Sequence, residues 1–183
     1  MILSESDINQ RISRFPINEE RCFTVRPTTS VFLSHKHTER NLMLKIKTFL
    51  EHLGISVYID WLDEEMTEST SGRTAQELKH KIRENDKFIL VATDRAIASK
   101  WCNWELGLGD AEKYVKDKIA LFPICQENRN WSGAEYLQIY PTIEYLTSYE
   151  IADNWSLSAG YYVRYPKMDG QQNVINLRQW LYK

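Results

Sequence analysis

The segment 87–93 (KFILVAT) constrains the fold more than any other stretch of the chain. It is apolar on both of the faces a strand presents, so a strand made from it must be covered on both sides. That is the situation of a central strand in a parallel sheet with helices above and below. The runs 30–34 (SVFLS), 56–60 (SVYID) and 119–124 (IALFPI) read as further strands of the same kind. Helical patterns lie between them. Leu42, Ile46, Phe49 and Leu53 recur at spacings of four, three and four, after Thr38 as a candidate N-cap with Glu39 in the first turn, and before Gly54 as a C-cap. Thr74 and Glu77 fit a capping box ahead of Ala75, Leu78 and Ile82, in a helix ending near Asn85. Ser99 can cap a third helix running to about Lys116. This alternation predicts an α/β fold, an open and mainly parallel sheet with right-handed crossovers and helices on both faces. Beyond it, 142–146 reads as a fifth strand, 161–165 (YYVRY) as an edge strand, and Val174, Leu177 and Leu181 as a terminal helix. Residues 1–29 read as a polar extension carrying Pro16 and Pro27, with a short helix at about 4–14.

At 183 residues the chain fits one domain. Its 23 Lys and Arg against 25 Asp and Glu give a net charge of −2, which argues against a nucleic-acid partner held through a basic patch. No apolar run approaches the length of a membrane span, and MILSESDINQ lacks the pattern of a secretory signal, so a cytoplasmic protein is expected. Cys22, Cys102 and Cys125 are odd in number and form no CxxC, which suggests neither a disulfide framework nor a zinc site. The Asn130 and Asn154 sequons then read as accidents of composition.

Ligands of open α/β sheets sit at the carboxyl ends of the strands. Three segments converge there: 34–37 after the first strand, Asp60 onward after the second, and 93–105 after the third. On the helix from Ser99, the residues Trp101, Trp104, Leu108, Ala111 and Val115 form an apparent core stripe, with Glu105 on its flank. Glu105 is then either a surface carboxylate whose stem covers an indole or a desolvated group with a raised pKa. His35 and His37 suit hydrogen bonding in a loop better than a metal, because no further cysteine or carboxylate cluster follows at helical spacing. Gly107 and Gly109 lie mid-helix and form no dinucleotide fingerprint; close packing or a bend is the better reading. Cys102 reads as a half-buried structural thiol rather than a nucleophile. The acidic stretch 60–68 lacks calcium-loop spacing, and its Trp61 and Met66 suit a lid or a self-association surface.

Taken in order, VFLSHKHTE, VYIDW, KFILVAT and SKWCNWELG resemble a TIR (Toll/interleukin-1 receptor) domain of the bacterial kind, over roughly residues 30–147. Residues 148–183 would complete or extend it. The resemblance implies a flavodoxin-like sheet with a loop after the second strand, here 60–72. It also implies cleavage of the nicotinamide–ribose bond of NAD⁺, giving ADP-ribose or a cyclic or derivatised product, in antiphage immunity. The family's catalytic glutamate stands in an S-x-W-x-x-x-E pattern, which Ser99, Trp101 and Glu105 match. By the same resemblance Ser34, His35, Asp60, Trp61, Ser99 and Trp101 are candidate NAD⁺-binding residues. His35–Lys36–His37 departs from the Tyr-Ser of many relatives.

That chemistry asks little of the protein. Nicotinamide leaves without an acid, and the transition state is an oxocarbenium-like ribose that one carboxylate can stabilise. No metal and no cofactor are expected, with NAD⁺ as substrate. The expected partners are other copies through TIR–TIR contacts and a downstream effector that senses the product. Two other readings stand beside it: a non-catalytic TIR interaction module, and a relative of the nucleoside 2-deoxyribosyltransferases. An intact Ser99–Trp101–Glu105 set favours the enzyme.

Overall fold

In the computed structural model of the protein, residues 1–12, 29–63, 71–126, 131, 133–147, 157–166 and 173–183 are described. Cys22, Pro16, Pro27, Met66, Asn130, Asn154 and most of the acidic stretch lie outside them.

Each apolar run forms a strand. The elements in chain order are β1 (Leu3–Ser4), α1 (Glu5–Ile12), β2 (Ser30–Ser34), α2 (Arg40–His52), β3 (Ser56–Tyr58), α3 (Gly72–Glu84), β4 (Lys87–Ala92), α4 (Asp94–Ile97), α5 (Lys100–Lys113), β5 (Ile119–Cys125), β6 (Thr142–Leu146), β7 (Gly160–Arg164), β8 (Val174–Asn176) and α6 (Leu177–Leu181). The sheet runs β3-β2-β4-β5-β6-β7-β8. Its first five members are parallel, in the order expected of a flavodoxin-like fold. β7 and β8 then add antiparallel pairs. The YYVRY segment is therefore an inner strand, because β8 takes the edge that it was expected to hold.

β4 shows why the central run is apolar throughout. Ile89 and Val91 face one core, with Leu42, Ile46 and Phe49 of α2 and Trp180 of α6. Phe88, Leu90 and Ala92 face the other, with Leu78 and Ile82 of α3 and Leu106 of α5. Lys87, at the start of the strand, is also buried; its ammonium lies over the Trp180 ring, 4.5 Å from the centroid.

The first twelve residues are packed into this body. β1 pairs in parallel with β5 through Leu3 and Ile124, and Met1 exchanges backbone hydrogen bonds with Tyr145 of β6. Leu3, Ile8 and Ile12 are almost fully buried.

Several local expectations are corrected. Thr38 does not cap α2: a 3-10 turn, His37–Glu39, precedes the helix, and Glu39 takes the N-cap position, its carboxylate accepting the Thr93 hydroxyl rather than a helix amide. The N-cap of α3 is Ser71, whose hydroxyl accepts the Thr74 amide while Thr74 Oγ1 accepts the Ser71 amide. The second strand stops at Tyr58, because Asp60–Leu62 turns into a 3-10 helix. Val174 lies in β8, so the terminal helix is only α6. The helix from Ser99 ends at Lys113, followed by a turn in which Asp117 has φ 53°.

Candidate active site

The largest correction concerns the buried face of α5. Trp104 is 36% exposed, Ala111 is exposed and Val115 lies past the helix end, so the apparent stripe is not the buried face, and only Trp101 and Leu108 of it pack partly against the core. The face that packs carries Cys102, Glu105, Leu106, Gly109 and Lys113. Gly109 allows it: a Cβ there would lie 2.9 Å from Phe88 Cδ2, so only glycine lets the helix come this close to β4. Lys113 at the far end donates to the carbonyls of Arg83 and Asn85. The rotation places Glu105 on the inner face instead of the flank, with 3% of its surface exposed.

There the carboxylate meets the end of β2. Ser34, also buried, donates its hydroxyl to Glu105 Oε2 at 2.5 Å. Burial pushes the Glu105 pKa up to about 8, against the opposing effects of the Ser34 bond and the His37 charge. Burial thus favours the protonated form of Glu105. A cation brought against it would favour the ionised form.

Two hydrogen-bonded groups, His35 with Trp61 and His37 with Asp60, lie beside this pair. His35 leaves the end of β2 with its ring buried. The indole N–H of Trp61 can only donate, so His35 Nε2 accepts it, at 2.7 Å. His35 Nδ1 then carries the proton and donates to the Leu33 carbonyl at 3.0 Å. Burial holds the His35 pKa below its ordinary value, in keeping with a neutral ring. The Cys102 thiol donates to the His35 carbonyl, tying α5 to the same loop. Asp60, 6% exposed, accepts the Trp61 backbone N–H through Oδ1 at 2.9 Å and faces His37 Nε2 through Oδ2 at 2.7 Å. Burial alone would raise the Asp60 pKa, but the His37 bond and the neighbouring positive charge bring it below the usual carboxylate value. The same bond raises the pKa of His37, whose side chain is half exposed.

The structure therefore brings Ser34, His35, Asp60, Trp61 and Glu105 together at the carboxyl ends of β2 and β3. Ser99 stands at the start of α5, where its hydroxyl accepts the Cys102 amide. Trp101 sits one turn before Glu105, half-buried and stacked on Trp104 at 5.0 Å between centroids. Trp61 is not a group on a solvated lid: it packs against the core, and Arg40 lies over its ring at 5.2 Å. The member that sequence reasoning left out of the site is His37. Its signal was the His-x-His spacing after a strand, which points to Asp60 only once β2 and β3 are known to be neighbours.

Donor atoms of His35, His37 and Asp60 lie within 4.8 Å of one another, a spacing that a metal could use. Both nitrogens of His35 are already engaged within the protein, by the Leu33 carbonyl and the Trp61 indole, which leaves the His37–Asp60 pair as the direct contact among the three.

Known proteins are similar to this chain in sequence. A Bacillus cereus (strain MSX-D12) protein named "Probable 3' cyclic ADP-D-ribose synthase ThsB'" is 30% identical over 117 residues, covering 62% of this chain and 59% of the relative. A Cytobacillus dafuensis protein named "Putative cyclic ADP-D-ribose synthase TIR2" is 32% identical over 79 residues, covering 42% of this chain and 21% of the relative. The matches thus span less than two thirds of either relative's length. The model of the TIR domain family matches residues 31–155, most of the chain, from β2 through β6. The chain belongs to the TIR domain family.

Proposed function

We propose that the protein cleaves the nicotinamide–ribose bond of NAD⁺ and closes the ADP-ribose moiety into a cyclic product. The observation that carries this reading is the buried Glu105 carboxyl, held by Ser34 at the carboxyl edge of the sheet. A desolvated carboxylate is the group that stabilises an oxocarbenium-like ribose, and low local dielectric strengthens its effect. Glu105 is the catalytic residue in this reading. Ser34 orients it, and His35, Asp60 and Trp61 shape the wall beside it. Ser99 and Trp101 set the start of α5 and an aromatic face for the nicotinamide or ribose. The names of the two relatives support a cyclic product.

NAD⁺ is the substrate, and the reaction as written uses no further cofactor or metal. Self-association through TIR–TIR contacts, an effector that reads the product, a cytoplasmic location and a role in antiphage immunity complete the proposal. Among the described residues no helix is long and apolar enough to cross a membrane. The domain in this reading is residues 30–147, with 148–183 completing it and 1–29 preceding it.

The test is incubation of the purified protein with NAD⁺ and chromatography of the products. Nicotinamide together with a cyclic isomer of ADP-ribose is expected from the wild type and not from Glu105→Gln. Intact NAD⁺ at high protein concentration would overturn the reading.

A further inference from the structure

We propose that His37, oriented by Asp60, is the base that takes the proton of the hydroxyl attacking the ribose. The inference rests on NAD⁺ cleavage as the reaction. Nicotinamide departs neutral and requires no acid, so the one proton to be handled is that of the nucleophile, whether water or a hydroxyl of the same ADP-ribose. In the step, the hydroxyl oxygen forms a bond to the ribose anomeric carbon. The bond from that carbon to the nicotinamide nitrogen breaks, and its electron pair cancels the positive charge of the ring. The hydroxyl proton passes to His37, and Asp60 faces the imidazolium that results.

The geometry selects His37 from its neighbours. Its Nε2 is 2.7 Å from Asp60 Oδ2, and Asp60 is buried with its other oxygen held by the Trp61 amide. A neutral ring in this position donates Nε2–H to Asp60 and leaves the Nδ1 lone pair open, since Nδ1 makes no hydrogen bond among the described residues. The side chain is 50% exposed while Asp60, His35, Ser34 and Glu105 are buried, so His37 is where the cluster meets incoming molecules. The alternatives are occupied. His35 uses both nitrogens. Ser34 is committed to Glu105, and the Cys102 thiol, bound to the His35 carbonyl, is pushed up to about 11 by burial. An imidazole held by a buried carboxylate through one nitrogen, with the other free, is the arrangement of a general base. The charged and titratable groups around it are Asp60 after β3, Glu105 from α5, and His35 and Lys36 on its own segment, His35 being stacked on it at 5.4 Å between centroids.

The test measures kcat and KM for NAD⁺ across pH with wild type, His37→Gln and Asp60→Asn, each checked for its melting temperature. Gln can still donate to Asp60 but cannot take a proton, so a merely structural His37 is replaced without loss. His37→Gln is expected to lower kcat on the order of 100-fold with KM little changed. The acid limb of kcat/KM, which requires loss of a proton from both Glu105 and His37 in the wild type, is expected to become a one-proton limb. Added imidazole should restore part of the turnover. Asp60→Asn should move the limb to lower pH, because the carboxylate raises the His37 pKa. A His37→Gln variant within about threefold of the wild-type kcat, or one that keeps the two-proton limb, overturns the assignment while NAD⁺ cleavage stands. A wild type that leaves NAD⁺ intact overturns both.

Discussion

Glu105→Gln should gain stability relative to the wild type as pH rises, and be the more stable protein from neutral pH upward. A glutamate pKa of about 8, against an ordinary 4.5, means that the fold favours the protonated form. Below pH 4.5 the group is neutral in folded and unfolded chains alike and costs nothing. As pH rises, the unfolded chain ionises first and stability is lost until pH passes 8. At about 1.4 kcal/mol per pH unit, the loss is about 3 kcal/mol at pH 7 and about 5 kcal/mol above pH 8. Glutamine still accepts the Ser34 bond but carries no charge. Its amide adds a penalty for an unmet buried donor of about 1–3 kcal/mol, and this does not change with pH. The rising titration of His37 is common to both proteins and largely cancels in the comparison. The assay is thermal unfolding of wild type and variant at matched pH values from about 5.5 to 9. For a chain of this size the gap in Tm should widen by roughly 10 °C across that range and level off above pH 8. A gap that is flat with pH would refute the buried, raised-pKa carboxyl, as would a wild type that gains on the variant as pH rises.

The two glycines of α5 should behave oppositely. Gly109→Ala drives a Cβ into Phe88 and should cost about 1–3 kcal/mol, whereas Gly107→Ala meets nothing within 4 Å and should gain up to about 1 kcal/mol, both read by urea unfolding. Ser71→Ala removes the acceptor that caps α3 and should cost about 1 kcal/mol in the same measurement. Trp101→Ala removes a half-buried ring, so its stability cost should stay below the roughly 3–5 kcal/mol of a core tryptophan. Its NAD⁺ turnover should fall by about tenfold or more if the indole lines the pocket; near-normal turnover with a large drop in Tm would reverse that assignment.

The strands were legible because they are made of apolar runs whose covering on both faces follows from composition alone. β4 needed no tertiary information: Phe88 to Ala92 has no face that tolerates water. β8 was not legible, since three residues with only partial burial leave no periodic signal. The capping of α3 was missed by three residues because Thr74 and Glu77 fit the capping-box pattern by residue type, whereas Ser71 forms its box with Thr74, which the pattern does not include. Within the site, the convergence of Ser34, Asp60 and Glu105 followed from the rule that parallel strands end together. The His37–Asp60 pair did not, because the pairing of β2 with β3 brings together side chains 23 positions apart.

The face of α5 was misjudged for a reason that bears on the site itself. Periodicity weighs tryptophan, leucine and valine as core, and so selects 101, 104, 108, 111 and 115. The true inner face holds a thiol, a carboxyl, a glycine and an amine among its packing residues, none of which registers as apolar. Three of these have structural partners that make their burial favourable. Cys102 donates to the His35 carbonyl, Lys113 to the carbonyls of Arg83 and Asn85, and Gly109 admits the Phe88 ring. Glu105 differs. Its direct hydrogen-bond partner is a neutral hydroxyl, and no ammonium or guanidinium contacts it among the described residues. At neutral pH and above a glutamine would fill the position at lower free energy, so packing does not account for the carboxyl. In the proposed reaction, the ribose would bring positive charge against this carboxyl at the transition state. The cost of burying Glu105 and the proposed stabilisation of the reacting ribose would then be the same electrostatic fact, read without and with that charge.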